Sequence, residues 1–213
     1  MTEGRPLMLV ATRNAGKLRE LTPMIAAAGF APRSLDEAGI EPRSDESEVE
    51  AFATFEENAV AKARFYLDRA TAAGLGGCLV LADDSGLAVD ALGGAPGVRS
   101  KRWGGNPALN GRALDANNNA RLLATLEGVA DRRARFVCVA AVAWMDGVVT
   151  ARGEASGLLL CAPRGAEGFG YDPLFLSDDL GRTLAEVSVE EKSKVSHRAR
   201  AVATALAEYG KRR

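Results

Sequence analysis

The sequence predicts an α/β protein, and three observations carry that expectation. Short apolar runs at Leu7–Ala11 and Cys78–Ala82 have the length and composition of buried strands. Helical patterns alternate with them, one carrying Leu18, Leu21 and Ile25, one opened by Thr54-Phe55-Glu56-Glu57, and a last one carrying Val202, Leu206 and Tyr209. Two more apolar runs, Phe136–Trp144 and Val148–Glu154, are joined through Asp146-Gly147, a strong hairpin signal that makes them antiparallel neighbours. The 213 residues suffice for one sizeable domain or two closely joined lobes.

Composition narrows the function classes. With 47% hydrophobic and 26% charged residues the chain reads as soluble and globular. A formal net charge of −1 offers no field for a nucleic acid polymer, so any phosphate chemistry rests on locally placed Lys and Arg. The start of the chain, with Glu3 and one short apolar run, resembles neither a signal peptide nor a membrane span. Cys78, Cys138 and Cys161 have neither zinc-site nor disulfide spacing, and are expected to be buried thiols in a reducing cytoplasm.

Taken in order, Leu7–Ala11 leads into Thr12-Arg13-Asn14-Ala15-Gly16-Lys17, a small-residue turn opening a helix. Such a turn offers backbone N–H groups, a helix dipole and the Lys17 charge to an anion; it also fits a plain connection capped by Asn14. Gly29 ends this helix, Pro32–Leu35 fits a short strand, and Asp36–Glu50 reads as an exposed acidic loop. Thr54 and Glu57 form a capping box for a helix to about Ala73, packed through Ala59, Ala63 and Tyr66 or Leu67. Lys62 on it could reach a phosphate or stand in solvent, and Glu50 before it could bind metal or be one more loop acid.

The strand at Cys78–Ala82 delivers Asp83 and Asp84 to a point where Ser85 and Gly86 are expected to turn the chain. Two acids there are costly unless a cation meets them, and Mg2+ suits carboxylate oxygens; a turn cap plus an Arg partner is the alternative. Gly93, Gly94, Pro96 and Gly97 then shape a loop, and Asn117–Leu126 reads as an amphipathic helix stopped by Gly128. Gly165–Phe175 is a glycine-spaced aromatic loop in which Phe169 could stack on a base or, with Tyr171, plug the core. The only histidine, His197, opens the final helix beside Arg198, capped by Ser196, as a donor-rich corner or as a bystander.

Six of these segments, in order along nearly the whole chain, resemble the noncanonical purine nucleoside triphosphate pyrophosphatases, also called inosine or xanthosine triphosphate pyrophosphatases. They are Thr12–Lys17, Thr54–Ala59 with Lys62, Ala82–Leu87, Leu92–Gly97, Gly168–Pro173, and Glu191–Ser193 with Ser196–Arg198. The resemblance implies an elongated mixed β-sheet flanked by helices, one domain over residues 1–213 built as two lobes with a nucleotide cleft between them. It implies a cytoplasmic, Mg2+-dependent homodimer that cleanses the nucleotide pool by hydrolysing ITP, dITP and XTP to monophosphate and pyrophosphate. By position, Thr12, Arg13, Asn14, Ala15, Gly16 and Lys17 match the phosphate-binding turn, and Lys62 and Lys192 match further phosphate contacts. Asp84 matches the proton acceptor and a metal ligand, Asp83 and Glu50 the other metal-side acids, and Ser85 a substrate contact. Phe169, Gly170, Tyr171 and Asp172, with His197 and Arg198, match the base pocket. Where the family often carries Glu-Thr-Gly, this chain has Glu50-Ala51-Phe52. A nucleotide sensor without catalysis, or a pyrophosphatase for other modified nucleotides, are the competing expectations.

Overall fold

The structure, a computed structural model, describes residues 4–212. Along the chain run β1 (Leu7–Val10), α1 (Ala15–Ala27), β2 (Ala31–Ser34), α2 (Phe55–Ala72), β3 (Leu79–Val89), α3 (Gly111–Thr125), β4 (Arg133–Trp144), β5 (Gly147–Leu159), β6 (Phe175–Ser177), α4 (Val189–Val195) and α5 (His197–Gly210). The strands form one sheet in the order β2-β1-β3-β4-β5-β6. It is mixed, as expected: β1 pairs parallel with β2 and β3, with Met8 opposite Leu79 and Val10 opposite Leu81, whereas β5 and β6 are antiparallel.

The chain divides into two compact units. The first holds residues up to Asp84, Cys138–Gly153 and residues from Arg198 on; the second holds Ser85–Val137 and Glu154–His197. In the first unit, successive side chains of each strand point to opposite faces, and both faces are covered. Met8, Val10, Leu79, Leu81, Cys138, Ala140 and Val142 pack with Leu21 and Ile25 of α1 and Val202 and Leu206 of α5. Leu9, Val80, Ala82, Val139 and Ala141 pack with Ala59, Ala63, Tyr66 and Ala70 of α2. Burial on two sides is why these strands read as unbroken apolar runs, without alternation. Each fully buried Leu or Ile here contributes roughly 1.5–3 kcal/mol. The second unit has its own core, in which Leu87, Val89, Phe136 and Phe175 meet Leu122 and Leu126 of α3.

Several expectations are corrected. β3 does not turn at Ser85-Gly86 but continues to Val89, held where the Ser100 hydroxyl accepts the Leu87 N–H at 2.8 Å. α3 begins at Gly111, ahead of the expected Asn117, and its early turns carry no apolar stripe to read: the buried residue there is Asn118, which accepts from the Gly104 N–H at 2.7 Å and donates to the Lys101 carbonyl at 3.1 Å. A separate helix, α4, precedes α5, and Ser188 and Glu191 form its capping box. At α2, by contrast, the box is half made: Thr54 caps the Glu57 N–H, but the Glu57 carboxylate takes the Thr54 hydroxyl at 2.7 Å, not the backbone. Cys78 and Cys138 are buried as expected, and Cys161 is exposed. Among the described residues no helix is long and apolar enough to cross a membrane.

The acidic loop is also less free than its composition suggests. Leu35 and Ile40 are buried, and Glu46 receives Arg13 Nε at 2.9 Å and Arg69 Nη1 at 2.8 Å. Arg13 adds bonds to Asp36 and to the Ile40 carbonyl, each 2.8 Å, which fastens the loop to the turn before α1. The Arg13 hydrogen bonds, helped by Tyr66 and Arg69, push the Glu46 carboxyl down to about 2 from 4.5. Because the folded value is the lower one, this clasp contributes its full stability above pH 4.5 and loses it as pH falls toward about 2. We expect Glu46→Gln to be less stable at pH 7 but to lose less stability over that acid range; parallel acid limbs in urea titrations would contradict this.

Candidate functional site

The alternation of β3 decides what each of the two adjacent acids meets. Asp83 is in step with Leu79 and Leu81 and faces α1 and α5; Asp84 is in step with Val80 and Ala82 and faces α2. Asp83, 1% exposed, has Lys17 Nζ 3.0 Å from Oδ2 and accepts Arg198 Nε on the same oxygen at 3.1 Å. Arg198 also pairs with Glu20, and the Cys138 thiol donates to Asp83 at 3.8 Å. Two buried carboxylates thus meet two cations, with the hydrogen bonds that make such burial tolerable. Burial would raise the Asp83 carboxyl, but Lys17, Arg198 and Lys62 outweigh it and hold it well below the usual carboxylate range. Burial, then the Asp83 charge, pushes the Cys138 thiol up, so it stays protonated.

Asp84 stands on the other side with different company. Asn58 Nδ2 of α2 donates to it at 2.9 Å, and the Asn58 side chain also accepts the Phe52 N–H at 2.9 Å, two residues after Glu50. Lys62, also on α2, pairs with Glu50 and donates to the Asp83 carbonyl at 2.8 Å. Burial would lower the Lys62 ammonium, but Glu50, Asp83 and Asp84 outweigh it and keep it charged. Asp84 is shifted the opposite way from its neighbour: burial raises its carboxyl, the Glu50 charge adds to the rise, and Lys17, Lys62 and Asn58 only partly offset it. Of the two acids, Asp84 is the better proton acceptor.

The turn before α1 has the expected local form. Thr12 accepts the Asn14 N–H at 3.2 Å, Asn14 caps α1 through the Lys17 N–H at 3.0 Å, and Ala15 and Gly16 begin the helix. Lys17 points to Asp83, whereas the Arg13 guanidinium is turned to the Glu46 loop. Ser85 is the next residue of β3, at the start of the second unit.

In the second unit a compact cluster surrounds the aromatic loop. Lys192 Nζ lies 2.5 Å from Asp172 Oδ2 and 5.0 Å from the centroid of the Phe169 ring, while the Phe169 N–H donates to that same carboxylate oxygen at 2.9 Å. Gly168 and Gly170 have φ of +71° and +62°, and a Cβ on Gly168 would stand 2.2 Å from Asp172, so only glycine closes this loop. Tyr171 belongs to the core, its hydroxyl donating to the Ser100 carbonyl at 2.8 Å. His197 is buried and stacks on Phe136, centroids 4.8 Å apart and planes 12° from parallel.

The structure therefore brings Lys17, Glu50, Lys62, Asp83, Asp84 and Arg198 together in one unit, and Phe169, Asp172 and Lys192 in the other. Three placements differ from expectation: Arg198, expected at the base, has its guanidinium on Asp83 and Glu20; Arg13, expected at the phosphates, turns its guanidinium to Glu46; and Lys192, expected at the phosphates, is held on Asp172 beside Phe169. Of the alternatives left open, Tyr171 follows the core one, while the exposed bystander at His197 and the solvated lysine at Lys62 are set aside by their burial. Sequence reading passed over Glu20 and gave Asn58 no role. The signal for Glu20 was its position three residues after Lys17, on the same helix face.

The donor set can be tested for the expected cation. Glu50 and Asp84 are hard oxygen ligands near enough for one to raise the other's carboxyl, a repulsion that a divalent ion would relieve. Asp83 does not fit as a third ligand, because Lys17 and Arg198 already occupy its charge. Among the described residues no group of three or more His, Cys, Asp and Glu could hold a metal ion, and Mg2+ characteristically binds through one or two carboxylates plus substrate phosphate and water.

The chain is similar to known proteins over most of its length. A dITP/XTP pyrophosphatase of Syntrophobacter fumaroxidans is 48% identical over 92% of this chain and 78% of its own length. One of Deinococcus deserti is 44% identical over 98% and 94%. A HAM1 protein structure from Coxiella burnetii superposes with a TM-score of 0.77 at 32% identity, covering 97% of this chain and 99% of that one. A nucleoside-triphosphatase, dITP/XTP pyrophosphatase, from Mycobacterium abscessus gives 0.67 at 40% identity over 93% and 97%. The Ham1 family model matches residues 8–208, a span that includes parts of both units and every residue of the candidate site, and the chain belongs to that family.

Proposed function

We infer that the protein is a nucleoside triphosphate pyrophosphatase that hydrolyses noncanonical purine triphosphates, dITP, ITP and XTP, to the monophosphate and pyrophosphate. The observation that carries this reading is the division of the acid pair. One carboxylate is locked among cations, and its neighbour is left as a raised, proton-accepting group beside two ammonium groups and Glu50. The names of the relatives, dITP/XTP pyrophosphatases, support the same chemistry on dITP and XTP.

In this reading Lys17 and Lys62 neutralise the polyphosphate, and the turn Thr12–Lys17 adds backbone donors at the start of α1. Asp84 accepts the proton of the water that attacks the α-phosphorus, and pyrophosphate leaves. Glu50 and Asp84 would hold Mg2+, which when bound supplies further charge neutralisation and a more acidic water. Asp83 and Arg198 act from behind, fixing Lys17 and α5. Phe169 offers the base a ring to stack on, with Asp172, Lys192 and His197 as the polar and aromatic groups around it. Ser85 continues the strand from Asp84 as a substrate contact. Residues 1–213 are taken as one domain, and the working form as a cytoplasmic homodimer, whose oligomeric state light scattering on the purified protein checks directly.

The test is pyrophosphate release from ITP, XTP, dITP, GTP, ATP and dTTP, with and without Mg2+. Preference for the first three with Mg2+ supports the reading; no release from any of them would overturn it in favour of a sensor. Phe169→Ala is expected to raise KM for ITP about tenfold, since base–aromatic stacking is worth about 1–3 kcal/mol, with kcat little changed. An unchanged KM would remove Phe169 from the base platform.

A further inference from the structure

We propose that Asp115 and Asn119 of α3 are positioning residues for base selection, clamping the peptide groups of Gly170 so that Phe169 is presented in one fixed orientation. The proposal rests on the reading of Phe169 as base platform. The geometry is specific. Asp115 Oδ2 accepts the Gly170 N–H at 2.9 Å, and Asn119 Nδ2 donates to the Gly170 carbonyl at 3.0 Å. The two residues are four apart, so they stand on one face of α3 and grip both polar groups of a single residue. Gly170 needs such a grip: its φ of +62° belongs to glycine's large conformational space, and no side chain of its own anchors it.

The orientation of Asn119 follows from this contact. A carbonyl cannot donate, so Nδ2 must face Gly170, which leaves Asn119 Oδ1 buried without a hydrogen-bond partner within the protein. An unsatisfied buried acceptor costs stability, and its retention implies that the amide is set by the loop it holds. On the other flank Phe169 is fixed by Asp172 and Lys192, so the platform is pinned from both neighbours. Preorganisation of this kind lowers the ordering cost of binding, which appears in KM and in discrimination between bases. Asp115 and Asn119 are only half-buried, so their variants should fold.

Polarity, not shape, is the variable to change. Asn119→Asp is isosteric but sets an oxygen against the Gly170 carbonyl, whereas Asp115→Asn retains an acceptor for the Gly170 N–H. We expect Asn119→Asp and Asp115→Ala to raise KM for ITP about tenfold and to narrow the ITP over ATP preference, with kcat within about threefold. Inhibition by pyrophosphate, which needs no base, should stay unchanged, and Asp115→Asn should behave as the parent. Equal KM in all variants, or a loss shared by kcat and pyrophosphate affinity, would overturn the proposal. Amide exchange gives a readout that does not depend on the substrate: the Gly170 N–H should exchange faster in Asp115→Ala, and unchanged protection would also overturn it. Failure of the parent protein to cleave ITP would instead overturn the substrate reading.

Discussion

Asp84→Asn is expected to lower kcat for ITP by about 10²- to 10⁴-fold, the usual contribution of a positioned general base. The substitution preserves shape, and its amide oxygen can still accept from Asn58, which now holds Asp84 at 2.9 Å. Loss of a charge that burial and Glu50 already disfavour should also cost the fold little. Thermal unfolding close to that of the parent and near-normal binding of ITP should therefore accompany the loss of turnover. The matching change at the neighbouring acid behaves differently. Asp83→Asn removes the partner shared by Lys17 and Arg198, and its damage should appear first as instability. If Asp84→Asn turned over at near-parent rates, the proton would have to go elsewhere, and Asp84 would lose its role.

The second large effect is structural. Arg198→Ala leaves Asp83 and Glu20 buried without the guanidinium between them, and breaking such a network typically costs about 3–5 kcal/mol. A denaturant titration reads this directly. Arg198→Lys should recover only part of it, because one ammonium cannot reproduce two separately directed N–H groups. Adding Glu20→Gln to Arg198→Ala should restore some stability by removing one of the two stranded charges. The contrary outcome is just as clear. If Arg198→Ala were as stable as the parent and merely lost the preference for ITP over ATP, the guanidinium would be reading the base and not binding the acids.

What sequence could reveal followed the chemistry of local signals. The Asn14 and Thr54 caps, the apolar strands and the tight connection from β4 to its neighbour β5 depend on near neighbours and were legible, although the connecting residues are Met145-Asp146 and Gly147 already belongs to β5. The path of β3 through Ser85-Gly86 was not, since its support comes from the hydroxyl of Ser100, well along the chain. The acid pair was recognisable, but the cations that meet Asp83 proved to be the protein's own. Lys17 and Arg198 come from the two ends of the chain, and pairings at such separation leave no spacing to read. The same holds for Arg13, whose partner Glu46 lies in a loop that composition alone presents as solvent-exposed. Alternation along β3 is itself a local signal: with Leu79 and Leu81 on one face, Asp83 and Asp84 must point their carboxylates to opposite faces.

That alternation has a consequence for how this strand tolerates change. Removing a single residue between Leu79 and Ala82 would leave both aspartates in the chain and yet exchange their walls, sending the ion-locked carboxylate toward Asn58 and the proton acceptor toward Arg198. Parity, as much as identity, is thus the inherited quantity in this segment: a protein keeping every charged residue but miscounting by one would be inert, whereas a shift by two could leave each acid beside its proper wall.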